Sequence, residues 1–260
     1  MSEGKLRVER DGAIGRMVFD NPARRNAING EMWRAIPTAM AQFDFDSAIR
    51  CIVLRGEGTT AFAAGADISE FEKRRASEGA TREYEGAVEA AQNALEQSAK
   101  PVLALIHGFC IGGGLEMALA CDLRYASAAS RFAIPAARLG IGYGVHGTSR
   151  LVATVGHAMA REIMFSGRRY TAEEALAMGL VNRVLPEAEL DQFVEELALE
   201  LAGNAPLSIA ASKSIINTVI QARGDFSAGE SAIAKCMKSE DYIEGRRAFM
   251  EKRPARFSGR

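Results

Sequence analysis

IHGFCIGGGLEMALACD, residues 106–122, reads as the end of a strand, three consecutive glycines and the start of an apolar helix. PVLALIHG (101–108) supplies the strand, an apolar run of the kind buried in a parallel sheet. LEMALACD (115–122) supplies the helix, and the unit places the chain among α/β proteins. Gly112, Gly113 and Gly114 let a ligand approach backbone that any side chain would block. Free N–H groups at a helix start favour negative charge. Glu116, three residues after Gly113, lies near the same helix face, so its carboxylate reaches a ligand held by the Gly113 N–H. Its neighbours Leu115, Met117, Ala118 and Leu119 are apolar, which predicts partial burial and a raised pKa suited to proton transfer. The bland alternatives are a tight strand–helix packing contact for the glycines and a surface position for Glu116. A phosphate-binding P-loop is excluded, because no Lys-Ser/Thr follows the glycines.

Upstream, AFAAGADI (61–68) is a second loop of small residues that opens backbone to a ligand. Its one charged group, Asp67, also reads as the N-cap of a helix ISEFEKRR. Nearer the N-terminus, strands at 6–9 and 13–20 flank the hairpin signal Asp11-Gly12. NPARRN (21–26) is a loop, and Asn29 caps a helix to about Phe43 that contains Pro37. AIRCIVLRG (48–56) is a buried strand, and 82–98 is a helix ended by Lys100-Pro101. Downstream come short strands within 122–135, a glycine-dense loop LGIGYGVHG (139–147), and a capping box of Thr171 with Glu174. VNRVLP (181–186) is the last strand, followed by helices only, at 187–203, 206–223, 227–239 and 240–252. That tail has too little core of its own and is expected to pack on the body or on another subunit.

The 260 residues, 48% hydrophobic, suffice for a real core, and the net charge of -1 argues against general nucleic-acid or anionic-membrane binding. No run of apolar residues spans a bilayer and no signal peptide opens the chain, so the expected compartment is the cytoplasm. Cys51, Cys110, Cys121 and Cys236 show no metal-ligand spacing and read as buried small hydrophobes. The three histidines, His107, His146 and His157, sit in no nucleophile motif.

Together NPARRNAIN, AFAAGADI, IHGFCIGGGLEMALACD, TAEEALAMGLVNRVLP and AFMEKR resemble the enoyl-CoA hydratase/isomerase (crotonase) superfamily over nearly the whole chain. The resemblance implies a spiral of ββα units over residues 1–200 carrying an acyl-CoA site. It implies a C-terminal helical region, 201–260, that makes a homotrimer or a dimer of trimers. Ala66 and Gly113 match the two positions whose N–H groups form an oxyanion hole for a thioester enolate. Arg24, Arg25 and Ala27 of the first loop, Ala61, Ala64, Asp67 and Ile68 of the second, and Gly112 become the candidates for contacting coenzyme A. For Arg24 and Arg25 the competing reading is solvated loop charge. Coenzyme A is part of the substrate, so no separate cofactor and no metal are implied.

The chain departs from the family pattern at one place. Glu116 matches the first of two glutamates of the family's hydratases, but the second position, after Pro135, holds Ala136. One carboxylate suits isomerisation or a modified hydration. Tyr143 resembles the tyrosine of the family's methylmalonyl-CoA decarboxylases, which opens decarboxylation of a malonyl-type CoA; it also reads as a pocket-wall aromatic. His146 shares that loop, and an acyl-CoA-binding role without catalysis stays open. Two rivals fail. Gly142, Gly144 and Gly147 fit GxGxxG, but ARLG before them is a poor strand and the stretch about 20 residues on, REIMFSG, reads as helix rather than as the strand end of a dinucleotide site. The basic stretch 244–260 suggests RNA binding, which the near-zero net charge opposes.

Overall fold

A computed structural model describes residues 4–67, 78–139, 143–220, 231, 235, 238–251 and 253–260. The chain opens with the hairpin β1 (Lys5–Asp11) and β2 (Ile14–Asp20), whose turn falls on Gly12, at φ +57°, and Ala13. Helix α1 (Gly30–Phe45) starts where expected: the Asn29 side chain accepts the Met32 N–H at 2.9 Å. Pro37 is accommodated inside it.

Three strand pairs then follow the same plan. β3 (Cys51–Gly56), β5 (Val102–Ile106) and β7 (Leu123–Ser127) enter a six-stranded sheet of order β1-β2-β3-β5-β7-β10, with β10 at Arg183–Leu185. β4 (Ala61–Ala63), β6 (Phe109–Ile111) and β8 (Arg131–Ala133) enter a four-stranded sheet of order β4-β6-β8-β9, closed by β9 (Tyr170–Thr171). Each pair is followed by helix: α2 (Glu78–Gln97), then α3 (Gly113–Ala120), then the short α4 (Ala136–Leu139) and α5 (Val145–Ser166). This is the expected succession of ββα units. The six-stranded sheet is parallel except at its β1–β2 edge.

Both faces of the large sheet are covered, which is why its strands read as continuous apolar runs. On β3, Ile52 and Leu54 face the main core beneath α1 and α2, while Cys51 and Val53 face a second core. That second core is completed by Leu190, Val194 and Ala198 of α7 (Glu187–Gly203), so the first helix of the tail packs on the body. The capping box before α6 (Ala172–Ala177) is present in both halves. α8 (Pro206–Ile220) is pinned by Lys213, whose buried ammonium donates to the carbonyls of Leu95 and Lys100, each at 3.1 Å, and to Asp122 at 2.8 Å. α9 (Glu240–Glu251) follows; most of the expected helix 227–239, with Cys236, lies outside the described residues. Cys51, Cys110 and Cys121 are buried and unpaired. Among the described residues no helix is long and apolar enough to cross a membrane.

Candidate active site

The two loops singled out in the sequence leave the ends of β4 and β6, which are adjacent parallel strands with Ala63 opposite Cys110. Their continuations therefore emerge side by side at the C-terminal edge of the small sheet. Gly65 is at φ +106° and Gly112 at φ +52°, backbone that glycine adopts without strain. A Cβ built on Gly113 would lie 3.6 Å from the Ala66 nitrogen, and one built on Gly65 would lie 3.9 Å from the Gly113 nitrogen.

Local hydrogen bonding leaves both amides open. Ile28 pairs with this loop by giving its N–H to Gly65 O at 2.8 Å and taking the Asp67 N–H at 3.0 Å. Bonding to the residues on either side turns the N–H of Ala66 away from Ile28. Gly113 is the first residue of α3, where a helix has no internal acceptor for the amide. Among the described residues neither N–H has a partner. The three glycines divide the two readings offered for them. Gly114 is the packing glycine, since a Cβ there would stand 2.3 Å from Ala63 O. Gly113 is the open one.

Glu116 sits in the first turn of α3, its N–H bonded to Gly112 O at 3.0 Å, and it is half-buried. Burial pushes its carboxyl up to about 7, against the opposing pull of Tyr143, Arg150 and Gln92. Tyr143 lies within hydrogen-bonding reach of that carboxyl and donates to Gly112 O at 3.3 Å. Burial and then the Glu116 charge raise the phenol well above its ordinary range. Gly147, in the first turn of α5, makes room: a Cβ there would stand 2.5 Å from Glu116 Oε1. Ala136 is buried at the start of α4 and brings no second carboxylate. His146 is on the exposed rim, with Nε2 3.0 Å from Glu89 of α2.

The other candidates fall at several depths. Ala27 is buried and gives its N–H to Arg24 O at 3.1 Å. Ala61 is fully buried in β4 with its carbonyl taken by Asn26, so it lies inward of the loop surface. Ala64 bonds Arg25 O at 3.0 Å, tying the first loop to the second. Arg25 is left-handed at φ +51°, its guanidinium 5.0 Å from the Phe109 ring centroid. Arg24 reaches both carboxylate oxygens of Asp67 at 2.6 Å. Ile68 and the helix that Asp67 was expected to cap lie outside the described residues, as does Gly142.

Three residues of this region were not read from the sequence. Trp33, the single tryptophan, is buried with its Cζ2 3.3 Å from where a Gly113 Cβ would be, and its indole N–H has no acceptor among the described residues. Gln92 and Arg150, bonded to each other at 2.8 Å, both draw the Glu116 carboxyl down against its burial. One tryptophan among apolar helix residues, and two polar residues on separate helices, carry no local motif.

The ends of the adjacent parallel strands β4 and β6 thus lead into an α/β arrangement of two unbonded amides and a half-buried carboxyl, groups able to take a negatively charged oxygen and to exchange a proton. The family model for enoyl-CoA hydratase/isomerase matches residues 9–260, so the chain belongs to that family. It is 36% identical over 248 residues to the short-chain-enoyl-CoA hydratase of Clostridium acetobutylicum, covering 95% of this chain and 94% of that protein. It is 35% identical to the carnitinyl-CoA dehydratase of Escherichia coli O157:H7, end to end in both. The crystal structure of an enoyl-CoA hydratase/carnithine racemase from Magnetospirillum magneticum superposes with a TM-score of 0.93 at 34% identity, covering 98% of this chain and 96% of that one.

Proposed function

We propose that this chain binds a short acyl-CoA thioester and carries it through an enolate. The N–H groups of Ala66 and Gly113 hold the thioester oxygen, and Glu116 moves the proton. The observation that carries this reading is the pair of neighbouring, unbonded amides on a surface cleared by Gly65 and Gly113. Taking a proton from the carbon beside a thioester, or adding water across a conjugated double bond, puts negative charge on that oxygen. Two fixed donors stabilise it without reorganising, and each is worth about 3–4 kcal/mol. A carboxyl raised to about 7 is half ionised near neutral pH and can serve as acid and base in turn. The relatives named as hydratase and dehydratase support addition or removal of water as the net reaction.

The contact between Tyr143 and Glu116 favours a second reading, decarboxylation of a malonyl-type CoA. There the same amides hold the enolate left by departing carbon dioxide, and the phenol returns the proton. Residues 1–200 carry the acyl-CoA site in this proposal. The C-terminal segment 201–260 associates copies into a trimer or a dimer of trimers, supported by exposed Ile216, Val219 and Ile220 on α8. Mass spectrometry after separate incubations with crotonyl-CoA and methylmalonyl-CoA tests the choice. Gain of water supports the first reading, loss of carbon dioxide the second, and no change in either thioester removes both.

A further inference from the structure

We propose that Tyr143 is a positioning residue for the pair of amides: its phenol holds the peptide between Gly112 and Gly113 so that the Gly113 N–H faces the thioester oxygen. The inference rests on that N–H being one of the two donors of the proposed function.

The carbonyl of Gly112 and the N–H of Gly113 belong to one planar trans peptide, so they point in opposite directions and turn together. Two donors hold the carbonyl end. The Glu116 N–H reaches it at 3.0 Å from within α3, and the Tyr143 hydroxyl donates to it at 3.3 Å from the stretch ahead of α5. Gly112 is anchored on its other side, where its own N–H donates to Ala133 O of β8 at 2.8 Å. The ring of Tyr143 packs against the main core, which aims the hydroxyl.

This peptide has little else to stop it turning over. Gly112 stands at φ +52°, ψ −120°. Turning the peptide carries ψ to about +60°, the left-handed region that glycine enters without strain. The residue on the other side, Gly113, has no Cβ to resist either. In the turned state the carbonyl oxygen takes the place of the N–H and repels an anion. The turn breaks both bonds at the carbonyl. Among the described residues Tyr143 supplies the one that comes from outside α3. A second donor on the carbonyl also polarises the peptide, which makes the N–H at its far end a stronger donor.

The phenol has one hydrogen to give, and burial keeps it protonated at neutral pH. An ionised Glu116 competes for that hydrogen, and a protonated one does not. Glu116 becomes protonated by taking the proton from the carbon beside the thioester, or from a water whose oxygen bonds the conjugated double bond. The displaced electron pair then sits on the thioester oxygen. The phenol hydrogen is free for the Gly112 carbonyl at the moment the Gly113 N–H faces the full charge.

The test uses the one run of adjacent glycines in the chain, Gly112 to Gly114. Protein labelled with carbon-13 and nitrogen-15 in glycine alone shows NMR carbonyl–nitrogen correlations only for Gly112–Gly113 and Gly113–Gly114. Gly113 gives the nitrogen of one and the carbonyl of the other, which tells them apart. Spectra taken below the Glu116 midpoint of about 7 keep that carboxyl protonated. Tyr143→Phe keeps the ring and removes the hydroxyl. The Gly112 carbonyl carbon and the Gly113 nitrogen are expected to move upfield while the Gly113–Gly114 pair stays. With the thioester that the parent converts, kcat should fall about tenfold at unchanged KM, the equivalent of one hydrogen bond. An unmoved Gly112–Gly113 pair in the folded variant overturns the proposal. Equal movement of both pairs, the mark of a general loosening of the helix start, overturns it too, as does a selective shift with unchanged kcat. If the variant does not fold, 3-fluorotyrosine in the parent chain decides: a stronger donor of nearly the same shape, it should move the same pair downfield, and no movement overturns the proposal. A selective shift in a chain that converts neither crotonyl-CoA nor methylmalonyl-CoA would leave the positioning role standing and remove the catalytic reading instead.

Discussion

Gly147 on α5 and Glu116 on α3 interlock: the hydrogen of the glycine occupies the space beside Oε1 of the carboxylate, where a Cβ would stand at 2.5 Å. Gly147 lies outside the left-handed region, so alanine there costs no backbone strain and gains helix propensity. Gly147→Ala is therefore expected to keep or raise the melting temperature while displacing the carboxylate. Turnover should fall by about a hundredfold, the usual cost of moving a reacting group by about 1 Å. Steady-state kinetics beside a thermal melt checks both halves.

The raised Glu116 carboxyl has a stability signature. Its folded pKa, about 7, exceeds the ordinary 4.5. Folding favours the protonated form, so the stabilisation is complete below the unfolded value and is lost as pH rises through the folded one. The shift corresponds to about 3 kcal/mol. Glu116→Gln removes the cost of burying the charge. It should melt higher than the parent above the folded midpoint, and the difference should shrink as pH falls toward 4.5. A difference independent of pH would contradict the burial argument.

Adjacent glycines should fail in different ways. In Gly114→Ala the new methyl meets the Ala63 carbonyl at 2.3 Å, so the strand–helix contact must open and stability should drop sharply. In Gly113→Ala the methyl meets the Trp33 ring edge at 3.3 Å and stands 3.6 Å from the Ala66 nitrogen. That chain should fold, yet lose about 10²–10³-fold in kcat, because the methyl crowds the space between the two amides. Urea melts and kinetics on the pair separate the two roles.

Lys213 ties α8 to the body through three acceptors, one of them Asp122. Lys213→Met should cost about 1–3 kcal/mol, because it removes the cation partner of a partly buried carboxylate that keeps the Val102 N–H. Adding Asp122→Asn should recover part of the loss, measured by denaturant unfolding of the single and double variants.

Legibility in the sequence followed the range of the interactions. Asn29 at the start of α1 and Thr171 with Glu174 before α6 act within one helical turn, and their residue types announced them. The glycine triad marked its own bend, although which glycine packs and which stays open depends on Ala63 and Ala66, about fifty residues away in the chain. β6 is three residues long and gives no periodicity, so the neighbouring run hid it. α5 begins at Val145 inside the glycine-dense stretch read as a loop to 147 and is interrupted at Gly156, at φ +73°. Gln92 and Arg150 meet each other from two other helices, and contacts at such separations leave no spacing to read.

The most direct measurement is deuterium incorporation into crotonyl-CoA and methylmalonyl-CoA by mass spectrometry, with the reaction run in deuterium oxide. Hydration and decarboxylation both end with the enolate taking a proton from a group in exchange with solvent, so product from either thioester should carry deuterium at the carbon beside the carbonyl. Glu116→Gln should abolish this with crotonyl-CoA, and Gly113→Ala should suppress it with both. A parent chain that leaves both thioesters unlabelled and unchanged would contradict the enolate account.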